Sequence, residues 1–179
     1  MKYNETGAFI LSETKNGERI VSCGGRISTR PGTAVELYRN ATDKEKNLNT
    51  IIDSDIFEIE PKVEYTSSDL NWNDKNSRSS IEMNDKSSRP EIKNTVDVNN
   101  YDTIILGFPV WWYTAPTIIN TFIEENNINN KNIYVFVTSG GSGVNDSFNN
   151  LKTAYPNNNW KKGIRLRGNE SEKVITEWL

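Results

Sequence analysis

Two apolar runs of strand length, YDTIILG (residues 101–107) and NIYVFV (residues 132–137), constrain this chain more than any other feature. Neither alternates with polar residues, so each needs cover on both faces, as strands of a buried sheet do. A loop follows each run, and then apolar residues at helical spacing. After the first come Ala115, Ile118, Ile119, Phe122 and Ile123, with Pro116 suited to a first helical turn. After the second come Val144, Phe148 and Leu151, with a stop near Pro156. Residues 55–59 (DIFEI) read as an earlier strand, residues 164–166 as a short later one and residues 171–178 as a closing helix. This alternation predicts a three-layer α/β/α domain with a parallel sheet. Ligands of such sheets bind beyond the carboxyl ends of the strands. The loops leaving those ends are GFPVWWYTAP (107–116) and TSGGSG (138–143), which should form adjacent walls of one site.

Composition narrows the chemistry. The 179 residues suit one domain spanning 1–179, with an atypical segment over 1–33 and a long polar crossover over 61–100. A net charge of -3 gives no electrostatic footprint for nucleic acid. Cys23 is the only cysteine, so no disulfide can close within the chain, and a reducing, cytoplasmic setting is expected. No stretch has the length and apolarity of a membrane span, and the first residues lack the apolar core of a signal peptide. The chain contains no histidine. That excludes Ser-His-Asp hydrolysis, Cys-His proteolysis and histidine-bound zinc, and leaves carboxylates, backbone groups or a cofactor that brings its own reactivity.

Two regions resist a single reading. Residues 61–100 are polar, and a structureless loop of that length is uncommon inside a domain. Helical turns over 67–70 and 79–83 are expected there, or else a functional role. In the first fifty residues, 9–12 and 18–23 could pair as a hairpin across Lys15, Asn16 and Gly17. The first parallel strand could instead lie at 19–28 or at 34–38.

The loops carry the chemistry. In SGGSG, Gly140, Gly141 and Gly143 allow close approach of a flat ligand or positive φ, and Ser139 and Ser142 add hydroxyls before a helix. Such turns are common, and neither the G-x-G-x-x-G fingerprint nor a Walker A motif occurs here. The aromatic trio Trp111, Trp112 and Tyr113 is more specific. It serves either as a hydrophobic lid on the sheet or as a wall for a planar conjugated ring, with Pro109 stiffening the turn and backbone amides from Val110 onward reaching polar ring edges.

Taken together, YDTIILGFPVWWYTAPTIINTF, VFVTSGGSG and the DIFEI strand with its polar sequel resemble the short-chain flavodoxin-like family of FMN-binding proteins, from about residue 55 onward. The resemblance implies a five-stranded parallel sheet in the order 2-1-3-4-5, non-covalent FMN and electron transfer. It also implies that Pro109, Val110, Trp111, Trp112 and Tyr113 lie along the isoalloxazine ring. Ser139, Gly140, Gly141 and Gly143 would line the same ring. The family's Ser/Thr/Gly phosphate loop has no clean match. Candidates are STRPGT, with Ser28 and Arg30, and NATDKE, with Thr42, where Asp43 and Glu45 would repel a phosphate.

The resemblance implies an electron carrier or FMN-dependent oxidoreductase with a redox partner protein, and implies no catalytic side chain or metal. The altered first loop supports an alternative, a flavodoxin-fold chain that has lost FMN and works as a binding or structural module. A carboxylate-dependent enzyme using residues 61–100 is a third possibility.

Overall fold

The computed structural model describes residues 8–13, 54–167 and 170–179, with 8–13, 54–56 and Glu172 by backbone alone. Its elements are β1 (Ala8–Glu13), β2 (Ser54–Ile59), α1 (Arg78–Asn84), β3 (Thr103–Pro109), α2 (Thr117–Glu125), β4 (Asn132–Thr138), α3 (Asn145–Ala154), β5 (Asn159–Arg165) and α4 (Glu172–Trp178). The two apolar runs form β3 and β4, parallel neighbours in continuous register from Thr103 opposite Asn132 to Pro109 opposite Thr138. Strand β5 adds in parallel on the far side of β4, with an irregularity between Ile133 and Val135. It starts well before the expected 164–166, because its polar first half, NWKK, buries only Trp160 and leaves no apolar run to read.

The strands line up as β2-β1-β3-β4-β5. Strand β1 runs antiparallel to both β2 and β3. The expectation of a sheet parallel throughout is therefore corrected: β3, β4 and β5 are parallel, and an order that presumes a parallel β1 takes no support from one running the other way. Residues 9–12 do form a strand, but β2 and β3 occupy its two edges; the expected hairpin partner 18–23 and the alternative first strands 19–28 and 34–38 lie outside the described residues.

Both faces of the parallel strands are covered. One carries α2 and α3, which pack Ile119, Phe122 and Leu151 onto Ile104, Leu106 and Val135. The other carries α4, with Ile175 and Trp178 against Ile105 and Phe136. Each large apolar side chain so buried contributes about 1.5–3 kcal/mol. Helix α2 ends in a Schellman motif: Asn127 takes φ 50°, its N–H bonds the Glu124 carbonyl, and the N–H of the buried Ile128 bonds that of Ile123.

The polar segment is not structureless. Its neck is closed by the backbone, with Lys62 N–H on the Glu91 carbonyl at 2.8 Å and Lys93 N–H on that of Glu60 at 2.7 Å. Asn94 reinforces it, accepting from Glu60 N–H and donating to the Glu58 carbonyl. Within the loop, Ser77 caps α1 by accepting from Ser80 N–H. Helix α1 realises the expected helical turn at 79–83, and residues 67–70 form a turn rather than a helix.

Candidate functional site

The chain leaves β3 through a tight turn. Trp111 N–H donates to the Thr114 carbonyl at 2.9 Å and Thr114 N–H returns a bond to Trp111 at 2.8 Å. Between them Trp112 and Tyr113 hold φ of 43° and 66°. Two residues with positive φ between paired flanks are the signature of a type I′ turn, where Asn-Gly is the usual occupant. For L-residues such a backbone costs roughly 1–2 kcal/mol each. Nor is that cost offset by packing among the described residues: Trp112 is 45% exposed and Tyr113 68%.

Trp111 points the other way. It is buried in a small cluster with Tyr65, Leu70 and Met83, and its ring meets the Tyr65 ring edge-on at 5.9 Å. Tyr65 O–H donates to Glu82 Oε2 at 2.5 Å, Arg78 Nε donates to Glu82 Oε1 at 2.6 Å, and the Arg78 guanidinium lies 3.8 Å over the Tyr65 ring. Burial, then the adjacent Glu82 carboxylate, hold the Tyr65 phenol far above its ordinary pKa, so it stays a donor. The aromatic trio is thus divided. Trp111 fastens the polar segment beneath the turn, and Trp112 and Tyr113 are the rings left facing outward.

The second loop stands beside the first, joined by Val110 N–H on the Thr138 carbonyl at 3.0 Å. Ser139 Oγ accepts from Gly141 N–H. Arg165, at the end of β5, reaches back and donates to the Gly141 carbonyl at 2.6 Å and to that of Ser142 at 3.4 Å. None of Gly140, Gly141 and Gly143 has φ in the left-handed region, and a Cβ built on any of them meets nothing within 4 Å. The chain itself does not require glycine there; what the three glycines leave is open space. Among the described residues the N–H groups of Trp112, Tyr113, Gly140 and Ser142 have no internal partner.

Pro109, Val110, Trp112 and Tyr113 are thereby brought together with Ser139, Gly140, Gly141 and Gly143 at the carboxyl edge. Ser28, Arg30 and Thr42 lie outside the described residues. Sequence reasoning missed three supports: Arg165 behind the glycine loop, Tyr65 beneath Trp111, and Asn150, whose Nδ2 donates to Thr114 Oγ1 at 3.1 Å and ties α3 to the turn. Only Arg165 had a signal, as a cation at the end of a strand.

A cleft of about 710 Å³ opens between α2, α3 and the end of α1. Trp112 and Tyr113 form part of its wall; none of residues 139–143 does. Near it, Arg89 forms a bidentate pair with Glu124 of α2, at 2.7 and 2.9 Å, and Tyr155 O–H donates to the same carboxylate at 2.7 Å. These bonds hold the Glu124 carboxyl below its ordinary value. Burial and Glu124 push the Tyr155 phenol up to about 12.

Among the described residues no helix is long and apolar enough to cross a membrane, and no cluster of acidic or cysteine side chains suits a metal. No curated protein matches the chain. Among solved structures, a candidate flavoprotein from Bacteroides eggerthii is 45% identical over 78% of this chain and 87% of its own, with a TM-score of 0.74. A second, from Bacteroides uniformis, is 38% identical over 92% of this chain and 98% of its own, with a TM-score of 0.70. A Lactobacillus acidophilus flavoprotein solved in complex with FMN is 23% identical over 77% of this chain and 89% of its own, at a TM-score of 0.58, a likeness of fold alone. The flavodoxin family model matches residues 38–179, taking in both loops, the polar segment and Thr42 but neither Ser28 nor Arg30. A match over that span, on parallel strands whose carboxyl edge carries the two loops, makes the chain a member of the flavodoxin family.

Proposed function

We propose that this protein binds FMN without a covalent link at the carboxyl edge of its sheet and serves as an electron carrier or a small flavin-dependent reductase. One observation carries the reading: Trp112 and Tyr113 are held outward on a strained turn, next to a loop whose three glycines leave open space. Strain of that kind persists where a function requires it. The donor set fits an isoalloxazine ring. Two aromatic faces would pack on its plane, and the unpaired N–H groups of Trp112, Tyr113, Gly140 and Ser142 match its carbonyl and ring-nitrogen acceptors. The FMN complex of the Lactobacillus flavoprotein, a relative in fold, agrees with this choice of cofactor.

Bound FMN would supply one- and two-electron redox chemistry. The chain's part is to bind, orient and bias the ring. Arg165 occupies the carbonyls of Gly141 and Ser142, leaving the N–H groups of Gly140 and Ser142 as free polarity of the loop. No side chain has to transfer a proton. A redox partner protein would dock over the ring edge left open by the turn.

Ser28, Arg30 and Thr42 remain the candidates for the phosphate grip. The test is titration of the apoprotein with FMN and with riboflavin, alongside the visible absorption of the purified protein. FMN should bind more tightly than riboflavin, and Arg30→Ala should reduce that preference if STRPGT holds the phosphate. A preference unchanged in Arg30→Ala leaves Ser28 and Thr42 as the candidates, and equal affinities would show that neither stretch grips it. Binding of neither flavin would sink the proposal.

A further inference from the structure

We propose that the cleft between α2, α3 and the end of α1 is a second binding site, for a planar aromatic monoanion of one or two fused rings. Its size, about 710 Å³, lies within the ordinary range for small-molecule sites. The cleft shares Trp112 and Tyr113 with the proposed flavin site but takes no residue of the Ser139-to-Gly143 loop, and its charge selectivity rests on Lys86, which the flavin reading does not use.

The wall chemistry selects the ligand. Trp112 and Tyr113 present large exposed aromatic surfaces at the mouth, and the Met83 thioether, a good neighbour for ring edges, lies on the α1 side. Leu151 and Ala115 supply an apolar floor. A flat ring fills such a space better than a sugar or a flexible chain. Charge sets the rest. Of the two cations lining the cleft, Arg89 is neutralised by its bidentate pair with Glu124, whereas Lys86 has no ion pair among the described residues. One free positive charge matches one carboxylate, and Asp146 across the cleft opposes a second negative charge.

The full-length protein would be titrated calorimetrically, at low salt, with 2-naphthoate and with its neutral amide. One saturable site is expected, with the acid binding several-fold more tightly than the amide. Lys86→Gln should weaken the acid about fivefold, in line with a partly exposed ion pair, and leave the amide unchanged. Asp146→Asn should tighten the acid. Both side chains are exposed, so both variants should fold. Equal affinity for acid and amide, no response to Lys86→Gln, or no saturable binding would each overturn the assignment. The response to Lys86→Gln reads this cleft and the FMN titration of wild type reads the flavin site, so the two proposals can fail separately.

Discussion

Trp112 and Tyr113 stand where a type I′ turn ordinarily holds Asn and Gly, and glycines stand where the backbone does not need them. That inversion was invisible in the sequence. The glycines of SGGSG suggested either close approach of a flat ligand or positive φ; the space around them is open, and the left-handed backbone belongs to two aromatics of the neighbouring loop. The Trp112→Asn, Tyr113→Gly double variant should relieve the turn and raise unfolding free energy by about 1–2 kcal/mol in urea titrations, while weakening FMN binding. A stability loss would show that the two rings are held by packing instead. The glycines divide in the same way. A Cβ at Gly107 would lie 2.1 Å from the Phe136 ring, so Gly107→Ala should cost about 1–3 kcal/mol. Gly140→Ala, with open space around it, should leave stability within about 0.5 kcal/mol and lower FMN affinity. Urea unfolding and flavin titration of both variants would check this contrast.

At the scale of elements, what the sequence made legible was what hydrophobic periodicity encodes. β3, β4, α2 and α3 follow from continuous apolar runs and helical spacing, and their bounds differ from the expected ones by a few residues at most. The neck of the polar segment was illegible because backbone groups of Glu60, Lys62, Glu91 and Lys93 make it, and any sequence offers those. Its attachment to the body runs through Trp111 and Tyr65 at one end and Arg89 and Glu124 at the other, partners 46 and 35 residues apart with no local pattern to join them. The second attachment is pH-sensitive. Hydrogen bonds from Arg89, then Tyr155, lower the folded-state pKa of Glu124 below its ordinary 4.5. Its contribution is therefore complete above that value and lost as pH falls through the lower folded pKa. Both partners are substantially exposed, so the effect should stay below about 1 kcal/mol. Wild type should lose stability more steeply than Glu124→Gln as pH drops from 6 towards 3; parallel urea midpoints would mean the pair contributes nothing.

For the whole molecule, the topology assembles the site. Parallel neighbours β3 and β4 end at the same edge, so the loops that leave them must stand side by side, and the Val110 to Thr138 hydrogen bond joins them. That adjacency was readable from two apolar runs alone. The direction of β1 was not, because the first fifty residues offer several short strand-like stretches of similar quality. The central claim is that the outward rings of the turn hold a flavin, and its most direct test is FMN titration of wild type and Trp112→Ala with flavin fluorescence as the readout. Wild type should bind one FMN per chain with a marked change in fluorescence, and Trp112→Ala should bind about tenfold more weakly and recover fluorescence. Saturable binding with identical affinity and fluorescence in both proteins would contradict the account, as would the absence of binding by wild type.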